Sequence, residues 1–553
     1  MMLNKLRKFV PFCCALSALL PLGCTARWAH ESADAEVYPI VAEKQKAALG
    51  KALPFRIETT TSTLTQQVLD TTTRTADTYT TGALVLSMAD ALELALDNNR
   101  EYQARKEDLY LSALALTGER HEFSPIFTSL VSSRLQRQPA GTDVERFGQL
   151  SGDLKMTQLL ATGGRITVGF TNNLFHFYSG GNPRNQSNNA LAIGIVQPLL
   201  QGGGLDVTLE NLRQAERNVI YAARLFARYR QSFIIDRVES YLAVLETRDR
   251  IDNEYMSYQR LVFQRERSEA MEEAQRLERF QVDQARQDEY KARNRWINAQ
   301  TEYQVALDQF KLELGLPLDL KLQPDSHELD VLRGKGLLDM PLDLPTALQE
   351  AVARRLDMKT ALDHVQDAMR GVLVAQNGLL PGLDVSTDYG LQDDGSNQTL
   401  NLAGKTRRYG AGIDLDLPLD RKQERNDFRR AEIERERANR TAEQLRNQIQ
   451  VQVRKAYNDL QDARESFRIQ EAAANLAQHR IENVRMLLDI GREGVNVRDQ
   501  LEAESALRDT QNNITTALVG YTVARLRFYD AMERLEIDER GEWHEQKTAT
   551  QKL

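Results

Sequence analysis

Residues 442–467 read AEQLRNQIQVQVRKAYNDLQDARESF. Within them Ala442, Leu445, Ile449, Val453, Ala456, Leu460, Ala463 and Phe467 recur at steps of three and four, while Glu, Arg, Gln and Asn fill most of the rest. This is the narrow seam of a coiled coil, not the broad apolar face of a globular helix. Further out, neither residues 421–490 nor residues 206–273 contain proline or glycine. Each stretch reads as one helix, on the order of 100 Å long at about 1.5 Å per residue. A rod with so thin an apolar stripe cannot bury it alone. An antiparallel partner solves the problem, so residues 275–283 are expected to reverse one pair of long helices and residues 491–499 the other.

The chain is an internal duplication. LSMADALELA at 86–95 lies over LDLPTALQEA at 342–351 without a gap, and the same offset sets Pro125 on Pro381. Further on, Pro198-Leu199 answers Pro418-Leu419, Tyr241 answers Tyr457, and Tyr303 and Phe310 answer Tyr521 and Phe528. An ordered series of matches over roughly 200 residues per copy marks a repeat. The repeats are placed at 86–317 and 342–536, with an extended strap at 24–85, a linker at 318–341 and a disordered tail at 537–553.

Each copy reads as helix, strands, very long helix, turn, very long helix. In the first copy a helix at 87–122 ends near Pro125, which opposes its continuation. Strands follow at 126–135, 150–160, 165–174 and 190–196, with Gly163-Gly164 as the tight turn among them. The second copy has a shorter set, at 383–391 and 409–417. Alternation in Ile413-Asp414-Leu415-Asp416-Leu417 puts carboxylates on one face and aliphatics on the other, as a barrel wall between lipid and water requires. An edge hairpin of a small sandwich fits that local pattern equally well.

Composition narrows the class. Of 553 residues 41% are hydrophobic and 27% charged, and the mean hydropathy is −0.50, too polar for a helical membrane protein. The 71 basic and 79 acidic side chains leave a net charge of −8, with no general draw toward nucleic acid. Three cysteines exclude a disulfide framework. Lys5, Arg7 and Lys8 followed by apolar residues 9–22 form an export signal over 1–23. Its end, Leu20-Pro21-Leu22-Gly23-Cys24, is similar to a lipoprotein cleavage box, with Pro21 as the departure, so Cys24 is expected to carry lipid. Beyond it no run approaches ~18 apolar residues. A bilayer-crossing form of the mature chain must therefore be a closed β-barrel.

The ordered motifs resemble the TolC-like outer-membrane factors, the outer membrane efflux protein family. They are LSMADALELALDNN from Leu86, Phe123-Ser124-Pro125 at the helix-to-strand junction, QPLLQGGG from Gln197, and FQVDQA and VRDQLEA from Phe280 and Val497. The resemblance spans residues 86–536. It implies a mainly α fold with β, in which long antiparallel helices form a periplasmic α-barrel and a few strands per chain join a trimeric outer-membrane β-barrel. Pro125, Pro198, Pro381 and Pro418 would mark the helix–strand junctions. Family members usually supply four strands per chain; the extra strand-like sequence at 147–174 leaves the count here open, an added hairpin being one reading. The implied function is that of the exit duct of a tripartite efflux or type I secretion system. It would conduct passively what an inner-membrane pump and a periplasmic adaptor deliver. The implied location is the outer membrane, lipid-anchored, with a large periplasmic portion.

By position, the family's entrance acids fall on Asp499 and Glu502, whose i, i+3 spacing places both on one helical face. Arg498 stands beside them, and Asp283 is the matching acid of the first copy. Three copies would form a negative ring. Arg276 and Leu277 in one turn, with Gly491, Arg492 and Gly494 in the other, would meet the adaptor. A solvated polar helix is the plain alternative for the acids.

Other chemistry finds no carrier in the sequence. The seven histidines are scattered, and Gly202-Gly203-Gly204 lacks the Lys-Ser/Thr of a phosphate loop. No nucleophile arrangement and no cofactor motif is present, so an enzyme is not expected. The Asn and Asp clusters at 182–189 and 393–397 read as exposed loops between strands. The competing function is a periplasmic coiled-coil lipoprotein that never forms a pore.

Overall fold

The computed structural model describes residues 26–58, 84–140, 143–179, 184–338, 342–393, 406–490, 497–538 and 540–545. The leader 1–23, Cys24, residues 59–83 of the strap, and Gly491, Arg492 and Gly494 lie outside them. Two units organise the chain. One comprises Met1–Phe55, Asp108–Ala223 and Val365–Arg437, and the other Arg56–Glu107, Arg224–His364 and Ala438–Leu553.

Ahead of the repeats lie α1 (Ala26–Leu49) and β1 (Leu84–Leu86). The first copy runs α2 (Met88–Asn98), α3 (Arg100–Glu122), β2 (Ile126–Ala140), β3 (Asp143–Leu159), β4 (Arg165–Ser179), β5 (Asn185–Pro198), then α4 (Glu210–Glu273) and α5 (Arg279–Leu314). Between the copies are β6 (Leu322–Pro324) and α6 (His327–Lys335). The second copy runs α7 (Leu344–Arg354), α8 (Leu356–Asn377), β7 (Gly382–Gln392), β8 (Thr406–Asp416), α9 (Lys422–Asp489) and α10 (Val497–Ala531), followed by β9 (Leu535–Ile537) and β10 (Trp543–Glu545).

The helices of the two copies match closely: 11, 23, 64 and 36 residues against 11, 22, 68 and 35. The opening helix expected at 87–122 is interrupted at Asn99, and its counterpart at Arg355, at the offset that relates Pro125 to Pro381. Asn99 is a side-chain cap: its Oδ1 accepts the Tyr102 N–H at 3.0 Å, and its Nδ2 donates to the Glu313 carbonyl at 2.8 Å. Ser87 caps α2 in the same way, accepting the Asp90 N–H at 3.2 Å. α5 ends at Gly315 with φ 72°, where a Cβ would lie 2.5 Å from the Asn98 carbonyl oxygen, so only glycine fits.

In the first unit all six long strands form one antiparallel sheet, in the order β2-β3-β4-β5-β7-β8. Pro125 and Pro381 immediately precede β2 and β7, Pro198 closes β5 and Pro418 follows β8, so the four prolines share one end of the sheet. A proline there interrupts no ladder hydrogen bond. The registers sort the side chains. One face carries Phe127, Val131, Leu154, Met156, Val168, Phe170, Ile193, Ile195, Val385, Tyr389, Tyr409 and Ile413; the other carries Lys155, Asp153, Thr171, Asn173, Asp388, Arg408 and Asp414. On the first face, Asp, Glu, Lys and Arg are absent from the paired described residues until Arg137, Arg146 and Arg407 at the end far from the prolines. Many of its large side chains are exposed, Phe127 at 68% and Ile413 at 74%, while Met156, Val168, Phe170 and Val385 are half-buried.

Three expectations are corrected. The segment expected to be an extended strap begins with α1: Val37, Ile40, Val41 and Ala48 are buried at helical spacing, Tyr38 packs edge-on against Tyr110 at 5.9 Å, and the Tyr110 hydroxyl donates to Asp34 at 2.6 Å. The tail expected to be disordered starts with an antiparallel β9–β10 pair. Asp538 builds its turn by accepting the N–H groups of Arg540 and Glu542 at 3.0 and 2.8 Å. Finally, Asn185, Asn188 and Asn189 belong to β5 instead of a loop. Asn189 and Asp393 are buried, and the Asp393 N–H donates to the Asn189 carbonyl at 2.9 Å.

The linker is also structured. β6 pairs with β1 in parallel, and the Glu328 carboxylate of α6 accepts the Met88 N–H at 2.8 Å. Tyr241 joins the pieces: its hydroxyl donates to the Leu86 carbonyl at 3.0 Å and accepts the Asp325 N–H at 3.2 Å. Burial pushes that phenol up, away from ionisation.

Candidate functional site

The hairpin ends of the long helices lie in the second unit. The expected seam of α9 is the buried one: Ala442, Ile449, Val453, Leu460 and Phe467 are buried, and Leu445, Ala456 and Ala463 half-buried. Toward the hairpin end, Ala477 and Ile481 of α9 pack on Ala503 and Leu507 of α10, with Val484 beside them. Alanine at two of these contacts lets the helices approach closely.

Next to this apolar contact the seam turns polar and charged. Glu504 of α10 is 4% exposed; it pairs with Arg260 Nε of α4 at 2.6 Å and with Arg485 of α9. Glu254 of α4, 6% exposed, pairs with Arg295 Nε of α5 at 3.2 Å and Arg508 Nε of α10 at 3.5 Å. Gln264, Ser268 and Gln500 are buried nearby. Two buried carboxylates thus tie all four long helices. Removing one partner of such a group leaves the other charged and desolvated, so the network acts as a latch more than as a source of net stability.

The acids singled out by position occupy a different face. Glu502 is exposed, pairing with Arg498 Nε at 3.3 Å and approaching Arg480 Nη2 at 3.8 Å, while Asp499 is half-buried. Arg498 and Glu502 line a polar groove of about 220 Å³ with Asp288, Arg295, Glu504 and Arg508. Asp283 is exposed on α5 and is absent from that lining. The reversal expected at 275–283 is shorter than read, because α5 already begins at Arg279. Arg276 and Leu277 lie in that turn, which closes through Gln275 at φ 54° with the Arg276 N–H donating to the Met271 carbonyl at 2.8 Å. A left-handed backbone at Gln275 is strained where glycine would not be.

Glu504 and Glu254 escaped the sequence reading. A signal was available: Gln500, Ala503, Leu507 and Arg508 follow seam spacing along α10, and Glu504 sits among them. A second charged cluster lies where the chain leaves α10. Arg228 pairs with Asp357 at 3.0 Å and Glu533 at 3.4 Å, and Arg355 holds Asp357 at 2.6 Å. Burial pushes the Glu533 carboxyl up to about 7, aided by the nearby charges of Asp530 and Asp357 and opposed by Arg228.

Against known proteins, residues 347–532 match the family model described as outer membrane efflux protein. No curated protein sequence matches the chain. Among solved structures, the CmeC outer membrane channel of Campylobacter jejuni is 12% identical, with 84% of this chain and 88% of that one covered at a TM-score of 0.59. The outer membrane protein VceC of Vibrio cholerae is 13% identical, with 80% and 95% covered at 0.58. The open-state MtrE outer membrane channel of Neisseria gonorrhoeae is 13% identical, with 80% and 88% covered at 0.56. The fold is thus that of outer-membrane channels, long helical hairpins joined to a β section. The family match lies within the second copy and covers about a third of the chain.

Proposed function

We propose that three copies of this chain form an outer-membrane exit channel that passively conducts cargo delivered by an inner-membrane pump through a periplasmic adaptor, in efflux or type I secretion. The observation that carries this reading is the six-stranded sheet, with one apolar exposed face, one polar face and two edge strands, β2 and β8, whose outer sides pair with no strand among the described residues. A flat apolar face of that kind suits lipid, the polar face suits an aqueous lumen, and open edges call for closure. β2 leads away from the prolines and β8 returns toward them, so β8 of one copy meets β2 of the next antiparallel.

The registers also support the geometry of a barrel. From Ile126 the paired residues run through Thr157, Thr167, Gly194 and Asp388 to Gly410, six positions short of the β8 end at Asp416. Spread over five interstrand steps, that stagger equals a strand tilt of about 40°, within the range of transmembrane barrels.

In this reading Asp499 and Glu502 ring the periplasmic entrance, with Arg498 and Arg480 as counter-charges and Asp283 as the acid of the first copy. The Glu504 and Glu254 latches hold the hairpins closed. An adaptor engaging Arg276 and Leu277, together with Gly491, Arg492 and Gly494, shifts the population toward an open bundle. Cys24 carries the lipid anchor. Purified full-length protein in planar bilayers tests the reading: trimers with stepwise conductance are expected. Monomers that leave the bilayer silent would favour the non-channel coiled-coil lipoprotein instead.

A further inference from the structure

The first copy contributes four strands to the sheet and the second two, and the surplus is β3 and β4. They are not a flap. β3 pairs along its length with β2 and β4, and β4 with β3 and β5, so both stand inside the sheet. Both faces continue across them. Met156 and Val168 bridge the apolar row from Phe127 to Ile193, while on the polar face Thr171 Oγ1 donates to Asp153 at 2.8 Å and Gln149 Nε2 to Asn173 at 3.2 Å.

The hairpin is pinned at both ends. At the proline end its turn is stitched to the segment leading into α4. The Gly204 N–H donates to the Thr162 carbonyl at 3.1 Å, Thr162 Oγ1 donates to Gln197 Oε1 at 2.8 Å, and Gln197 Nε2 returns a bond to the Thr162 carbonyl at 3.0 Å. Gly163, at φ 90°, leaves no room there: a Cβ would lie 2.5 Å from the Gly202 carbonyl oxygen. At the far end Phe147 packs on Phe177 and Phe175 at 5.3 and 5.9 Å across the two strands. The turn returns to the helix end of the sheet without a helix of its own, so the insertion adds strands and no helices.

We infer that this hairpin sets the width of the exit, a conclusion that rests on the channel reading above. Three chains of six strands close an eighteen-stranded barrel. At about 4.8 Å between strands and a tilt of about 40°, each strand occupies about 6 Å of circumference, giving a backbone diameter of about 36 Å against about 24 Å for twelve strands. The exit therefore admits bulkier polar solutes than a barrel of four strands per chain would.

The decisive experiment counts strands by electron cryo-microscopy of the full-length protein in lipid nanodiscs. It is paired with polyethylene glycol exclusion from the strand-loop side in planar bilayers. Deleting residues 143–179 joins β2 directly to β5 and supplies the narrow comparison. Eighteen strands are expected, with a cut-off diameter at least about 1.5-fold larger in the full-length channel than in the deletion variant. A conducting trimer with twelve membrane strands and the hairpin outside the wall, or equal cut-offs in both proteins, overturns the inference while leaving the channel reading intact. Absence of a conducting trimer overturns both. If the variant does not fold, the strand count of the full-length protein decides alone.

Discussion

The two copies agree in their helix lengths to within about one turn and disagree twofold in the strands they give the main sheet. The long helices meet one another through a thin seam, so any change of length shifts every downstream contact out of register. A sheet is built differently. A hairpin can enter between β2 and β5 because each added strand pairs on both sides and preserves the alternation of faces. The rods are the constrained part of this molecule and the sheet the adjustable one.

The largest test of that contrast falls on the seam. Glu504→Ala leaves Arg260 and Arg485 without their shared acid and should destabilise the hairpin ends by about 3 kcal/mol. Hydrogen exchange across residues 477–484 and 503–507 reads the effect. Protection unchanged from the parent would mean that the latch holds nothing. Next in size is Asp499→Ala combined with Glu502→Ala, on the face of α10 that the seam leaves open. Cation preference should fall severalfold and block by multivalent cations should weaken, while hydrogen exchange at the seam stays as it was. Unaltered single-channel selectivity would place those carboxylates outside the conduction path.

A smaller effect belongs to Glu533. Its folded-state pKa of about 7 lies above the ordinary 4.5, so the folded chain holds this proton more tightly than the unfolded chain. The benefit is full below about pH 4.5 and is lost as pH rises through about 7. Glu533→Gln should flatten the decline of thermal stability across that window, and an identical slope in both proteins would count against the assignment. Smallest is Gln275→Gly, which relieves a left-handed backbone and should stabilise by about 1 kcal/mol, less the greater freedom glycine gives the unfolded chain. A lowered melting temperature would show that Gln275 makes compensating contacts.

Legibility in the sequence followed the same division. The uninterrupted stretches 206–273 and 421–490 became α4 and α9 within a few residues, because periodicity over many turns leaves little choice. The strands were located, but β2 to β5 extend well past their alternating cores. Residues such as Gln136 and Asn188 join the ladder through backbone pairing, which side-chain pattern does not report. α1 was hidden because its buried face is short and its partner, Tyr110, is distant in sequence. Glu504 was hidden because a charged residue in a mixed-charge helix resembles its solvated neighbours until the arginines of two other helices are placed beside it.

The central claim is that the sheet is a membrane wall with lipid on one side and water on the other. Single cysteines with an environment-sensitive fluorophore at Ile193 and Tyr389, compared with Gly194 and Asp388, test it most directly in reconstituted trimers. Lipid-chain quenchers should reach the first pair and aqueous iodide the second, alternating from one residue to the next. Iodide reaching both pairs equally would contradict the account.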